Sequence, residues 1–298
     1  MKKNILPSLI ILPLILFLLS SCEKPEPWTK GLMFKRVLVV VLENTNYKDA
    51  VKDPYLKELA DQGTLFTNFH GNFHPSYANY LAMVGGKYFW TFLDKQKDID
   101  AQTIADLLEA KDLTWKNYAE GYPGGCFLGD KMGDYARKHV PFLSFKNIQE
   151  DSQRCARVVP SEDFDQDVAS GTLPTFMYYS PDLENDGHDS DLPTASAWLK
   201  RFLQPLLENQ EFMDGTLIEV TFDESKTYLN NHIYTLFLGN MVKEGGREDK
   251  RLNHYDVLRT IEDNFAIGSL HAHDDKATPI LDVWKDAELA KALIWAPR

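Results

Sequence analysis

The sequence predicts an α/β protein, with a mixed, mainly parallel sheet covered on both faces by helices. Two observations lead there. Residues 37–42 are an unbroken run of valine and leucine, the pattern of a strand buried on both faces. Further short apolar runs then alternate along the chain with longer segments of helical character, as in layered α/β folds. No internal repeat or low-complexity tract interrupts this order, and residues 35–298 read as one domain.

The elements follow in sequence. Residues 54–62 read as a helix closed by Gly63, and 65–69 as a short strand. Residues 77–84 are helical and end at Gly85-Gly86, where glycine can stop a helix. Residues 103–110 are amphipathic, with Thr103 suited to the N-cap, and 114–118 read as a strand. Residues 121–159 lack any regular pattern and are expected to form a rim over the site. A strand at 175–179 is stopped by Pro181, and a long helix at 192–208 is expected to be shortened or kinked by Pro205. Core strands at 217–222 and 233–238 precede a helix at 255–265.

Two of these strands end in oxygen-bearing side chains. Residues 37–42 run directly into Glu43 and Asn44, and the later strand closes on TFDE, with Asp223 and Glu224. In such sheets ligands bind beyond the carboxyl ends of strands. An EN pair can equally open an ordinary turn, but two strands ending alike suggest a shared cation. Oxygen ligands alone favour magnesium, manganese or calcium over zinc. Ser76 stands just before a helix, where free N–H groups favour an anion. A plain N-cap serine fits that position as well.

Taken together, the motifs LENTNY, HPSYANYLAMVGG, YARKHVPF, NDGHD, TFDE, NHIYTLFLG and NHYDVLRTIEDNF resemble the phosphoesterase family. That family holds acid phosphatases and phosphatidylcholine-type phospholipases C within the alkaline phosphatase superfamily. The short form, with HPS and NDGHD, is most similar to fungal-type acid phosphatases. The resemblance implies the alkaline phosphatase-like three-layer sandwich and a phosphoseryl intermediate on Ser76. It implies a divalent cation held by Glu43, Asn44, Ser76, Asp223 and Glu224. Asn79, three residues after Ser76, takes the place of a phosphate-contacting asparagine, although Ala78 replaces the proline usual before it. It puts His188 at the site with Asp189 orienting it, and Asp186 becomes a candidate second ligand. His254, at a helix start, is expected to join His188 in binding phosphate and protonating the leaving oxygen. His74, His139 and His232 are further substrate-binding candidates. His70 reads as packing, and His271 and His273 as a solvated loop. Imidazoles are the positive groups expected to receive phosphate.

Composition narrows the partners. The formal charge is −12, and loss of the first 21 residues with their two lysines would make it about −14. An acidic chain lacks the basic footprint that nucleic acid requires. Lys2 and Lys3, an apolar run with two prolines, and LSSC at 19–22 resemble a bacterial lipoprotein signal. Cys22 would then be lipidated, residues 22–34 would form a tether, and the protein would sit on the cell envelope, held to its membrane. Cys126 and Cys155 are expected to pair outside the cytoplasm, the alternative being two separate thiols. The readings that follow are a lipid-anchored acid phosphatase, a phospholipase C on the same scaffold, or a surface lipoprotein that binds without turnover. Nothing in the sequence fixes the oligomeric state.

Overall fold

The computed structural model describes residues 31–294. The signal segment, Cys22 and most of the tether lie outside the described residues. Among these residues eleven strands are present, in chain order: β1 Arg36–Leu42, β2 Thr64–His70, β3 Trp115–Ala119, β4 Lys131–Met132, β5 Tyr135–Ala136, β6 Val158–Pro160, β7 Phe176–Ser180, β8 Thr216–Phe222, β9 His232–Leu238, β10 Gly246–Glu248 and β11 Leu252–Asn253. Nine form one sheet in the order β10-β2-β9-β8-β1-β7-β3-β6, with β11 also pairing β2, while β4 and β5 make a separate hairpin. Only β9 runs against its neighbours in the large sheet; every other pairing is parallel.

The sheet has helices on both faces because its strands alternate apolar contacts up and down. Tyr178 and Tyr179 are adjacent on β7 and so point to opposite faces. Tyr178 Oη donates to Met83 Sδ in the helix Ser76–Gly85, at 3.4 Å. Tyr179 packs on Trp198 and Phe202 of the helix Leu192–Glu208. The helix His254–Phe265 covers the first face beside Ser76–Gly85, and Pro54–Gln62 shares the second with Leu192–Glu208. The expected sandwich is therefore what the chain forms. Pro205 does not break its helix, which runs unbroken over 17 residues. Pro205 and Arg201, whose carbonyl loses the intrahelical bond, both lie on the exposed side, where water can replace it.

Residues 121–159 are more ordered than their sequence suggested. They contain the β4–β5 hairpin, the 3-10 turns Arg137–His139 and Pro141–Ser144, the helices Lys146–Gln149 and Ser152–Cys155, and part of β6. Each piece is too short to show a period. Arg137 anchors the segment from inside, donating to the carbonyls of Leu128 and Leu143 and pairing with Asp98. Cys126 and Cys155 are bonded, with Cα atoms 5.6 Å apart. The bridge closes a loop of 29 residues in sequence separation, so chain entropy assigns it about 3.6 kcal/mol. Reduction is expected to lower the melting temperature by about 5–10 °C. Identical melting curves with and without reductant would show that the bridge holds nothing.

Candidate active site

Because β1, β7 and β8 run in one direction and β9 in the other, three carboxyl ends and one amino end meet at a single edge of the sheet. Leu42 stands opposite Phe222, so Glu43 and Asp223 leave the sheet side by side. Asn44 adopts φ 50°, a left-handed turn that asparagine tolerates, and this bends the chain off the strand. Its backbone N–H donates to Asp223 Oδ1 at 3.2 Å, and its side-chain Nδ2 donates to Glu43 Oε2 at 2.6 Å.

Ser76 is not an N-cap. Pro75 occupies that position with no side-chain capping bond, and Ser76 is the first residue of its helix. Its buried hydroxyl donates instead to Glu43 Oε2 at 3.0 Å and Glu224 Oε1 at 3.2 Å. The serine and the two strand ends thus form one cluster at a positive helix terminus.

The turn Arg137–His139 and the NDGHD segment close the cluster from the far side. His139 is buried, stacks on Tyr80 with ring centroids 4.8 Å apart, and places Nδ1 2.9 Å from Asp186 Oδ2. Its Nε2 stands 3.1 Å from Glu43 Oε1, out of line for a hydrogen bond. His188 Nδ1 meets Asp189 Oδ1 at 2.6 Å, and its Nε2 lies 3.4 Å from Lys138 Nζ. Lys138 also pairs with Asp94, which accepts from Tyr77 N–H at the serine's helix. Sequence reasoning passed over Lys138 although it stands inside YARKHVPF, and looked to imidazoles for positive charge. The basic triplet 137–139 carried the signal.

Burial sets the electrostatics. Glu43 is driven well above the ordinary carboxylate range by desolvation, then by Asp223 and Asp186. Desolvation pushes Asp223 and Asp186 each to about 7. Glu224 rises to about 9 through burial and the neighbouring Asp223. Burial likewise lowers His139 well below the usual imidazole value, with Lys138 adding to it. For Lys138 burial opposes the charge, but the bond to Asp94 and the fields of Glu43 and Asp223 raise its pKa overall.

Four crowded acids sharing so little positive charge are what a cation resolves. The donor set fits one. Asp223 Oδ2 is buried without a hydrogen-bond partner, and Glu43 Oε1 and Glu224 Oε2 face only the ring nitrogens of His139 and His74, out of line for a hydrogen bond. Among the described residues, Glu43, His139 and His188 also offer ligand atoms within 4.8 Å of one another. The available donors are therefore oxygen and nitrogen, not the oxygen alone that the strand ends suggested.

Four further residues have other contacts. His74 Nδ1 meets Glu224 Oε2 at 2.6 Å, two residues from Ser76. Asn79 holds the loop before the serine, its Oδ1 accepting from the N–H groups of Asn72 and Phe73 and its Nδ2 donating to the Phe73 carbonyl. His254 lies behind β8, with Nε2 2.8 Å from the Asp223 carbonyl; burial lowers its pKa to about 4, so it is neutral. His232 stacks on Tyr47 and His70 and contacts the Thr67 carbonyl, at the β2–β9 pair. Outside the cluster, Asp94, Lys138, His188 and Asp189 open onto a cleft of about 320 Å³ that Lys95, Asp130 and Lys131 also line.

Several known proteins are similar to this chain. A probable acid phosphatase of Kluyveromyces lactis is 38% identical over 87% of this chain and 64% of its own length. The chain thus spans less than two thirds of that fungal relative. A phosphatidylinositol-3-phosphatase of Mycobacterium tuberculosis is 30% identical over 85% of this chain and 84% of its own. Among solved structures, a Vibrio parahaemolyticus protein in the alkaline phosphatase superfamily aligns with a TM-score of 0.59 and 14% identity, covering 85% of this chain and 73% of that one. This likeness carries the fold. The profile of the phosphoesterase family matches residues 44–268, and with the relatives above it shows that this chain belongs to the phosphoesterase family.

Proposed function

We propose that the chain is a metal-dependent phosphomonoesterase of the acid phosphatase type, working through a phosphoserine. The observation that carries this reading is the Ser76 hydroxyl, set at a helix start and bonded to two buried carboxylates whose other oxygens face only imidazole nitrogens. Glu43, Asn44, Asp223 and Glu224 would hold the cation, with His139 and His188 within reach of Glu43. When bound, the cation neutralises phosphate charge and favours the ionised serine.

The chain's own groups do the rest. Ser76 Oγ attacks phosphorus as its proton passes toward the carboxylates it already faces. The ester P–O bond breaks, and the leaving oxygen takes a proton from His188, which Asp189 orients through Nδ1. Water then attacks phosphorus, the Oγ–P bond breaks, and phosphate leaves with Ser76 restored. Lys138 lies beside His188 Nε2 and would contact the phosphoryl oxygens. His254 would act by fixing the Asp223 backbone. The lipid anchor on Cys22 and a cell-envelope location belong to this reading as well, and rest on the sequence.

Hydrolysis of a panel of soluble phosphomonoesters and diesters, across pH and with or without chelator, tests the reading. Chelator-sensitive monoester turnover is expected; diester turnover alone would replace it with the phospholipase type, and no turnover with a binding role. Lys138→Met is expected to lower kcat/KM by about 10²-fold, the scale of losing one preorganised charge at the transferring group. Lys200→Met, exposed on the helix Leu192–Glu208 across the sheet from Ser76, is the control. Equal, small effects in both would remove Lys138 from the site.

A further inference from the structure

We propose that an aromatic ridge beside the serine seats this protein on a lipid surface bearing anionic headgroups, placing the cleft at headgroup level. The ridge begins at Trp90 and Phe92, which are 71% and 63% exposed. Both rings pack on Tyr88, at 5.4 and 5.6 Å between centroids, and Tyr88 packs on Phe73 at 4.3 Å. Phe73 is followed by His74, whose ring lies 4.7 Å from Tyr228. Tyr228 and Leu229 continue the ridge and are 81% and 86% exposed. Two loops distant in sequence thus join their apolar tips through the segment that precedes Ser76.

The join is mechanical as well as spatial. Asp94, from the Trp90 loop, accepts from Tyr77 N–H and pairs with Lys138. His74, under Tyr228, meets Glu224. An apolar surface of this kind on an otherwise acidic, charged protein is a contact site and not incidental exposure. Its composition identifies the partner. Tryptophan and tyrosine favour the boundary between headgroups and acyl chains. Lys87, Lys95 and Lys97 flank the first tip and Lys226 the second, all exposed, in a chain whose formal charge is −12. Asp94 and Asp98 in the same loop pair with Lys138 and Arg137, so these lysines leave a local basic fringe that complements anionic headgroups despite the net charge. A protein seated across the ridge would cover the cleft, whereas a lipid surface would present its own phosphomonoesters to it. The substrate consequence rests on the phosphomonoesterase reading above; the docking itself does not.

The test uses the full chain, so that the N-terminal segment is common to every sample. Binding to phosphatidylcholine vesicles with and without phosphatidylserine is compared for wild type and the triple variant Trp90→Ala, Phe92→Ala, Leu229→Ala. Vesicle affinity in the variant is expected to fall by at least about tenfold, given the apolar area removed. Brominated phosphatidylcholine is expected to quench tryptophan emission in wild type and to lose most of that effect in Trp90→Phe. Turnover of phosphatidic acid in vesicles should fall with binding while turnover of a soluble monoester stays unchanged. Equal vesicle affinity in wild type and variant would overturn the proposal, as would a change of oligomeric state in the variant, which would assign the ridge to a second copy. Docking without any monoester turnover would leave the ridge standing and reject only the phosphomonoesterase reading.

Discussion

Ser76→Ala is expected to keep its fold and lose turnover by on the order of 10³-fold or more, the scale seen when a nucleophile is removed from a preorganised site. The two halves of this expectation come from separate observations. The helix Ser76–Gly85 takes its N-cap from Pro75, and no serine capping bond supports it. Deleting the hydroxyl therefore costs the helix little. Its Oγ bonds only carboxylates, at 3.0 and 3.2 Å, and the other oxygens of those carboxylates face only imidazole nitrogens. An acceptor pair so arranged has no packing purpose that alanine would fail to meet. Circular dichroism and melting should match wild type. Rapid acid quench with a phosphorus-labelled monoester should trap label on wild-type Ser76 and none on the variant. Wild-type turnover in Ser76→Ala would sink the phosphoserine mechanism outright.

The parts of this site that were legible in the sequence are those where a period breaks. Residues 37–42 can only be a buried strand, so the oxygen-bearing pair behind them had to lie at a sheet edge. TFDE repeats that logic, and the structure places the pairs side by side, Leu42 opposite Phe222. Lys138 was harder to see, although His139 beside it stood among the candidates. They stand in a 3-10 turn of three residues whose position depends on Arg137 reaching Leu128, Leu143 and Asp98. The basic triplet marks the turn, but no local pattern encodes contacts of that range. His254 illustrates the opposite case. Its place at a helix start was plain, but its partner is a backbone carbonyl of Asp223, and a carbonyl leaves no trace in a sequence. The edge strands β6, β10 and β11 are two or three residues long and carry no period to read.

Removing the cation is expected to abolish turnover and to destabilise the protein by an amount that grows with pH. The sign follows from the carboxylates. Burial raises Asp223 and Asp186 to about 7 and, with Asp223, Glu224 to about 9, while Glu43 lies well above its ordinary value. Unfolded, such groups titrate near 4. A group whose folded pKa is raised stabilises the fold fully below the unfolded value and loses that contribution as pH rises through the folded one. The chelated protein should therefore weaken from about pH 4 upward, most steeply between about 5 and 7 and more gently from there to 9, by on the order of a few kcal/mol shared across the coupled cluster. A cation binds the ionised carboxylates and removes their mutual repulsion, so the loaded protein should not follow this decline. The gap in melting temperature between loaded and chelated samples should be small at pH 5 and widen through pH 9. Asp223→Asn removes one of the repelling charges. It should lose turnover, melt at nearly the same temperature with and without metal, and decline less with pH than chelated wild type. A gap that stays constant from pH 5 to 9, or one that persists undiminished in Asp223→Asn, would show that these carboxylates do not hold the ion.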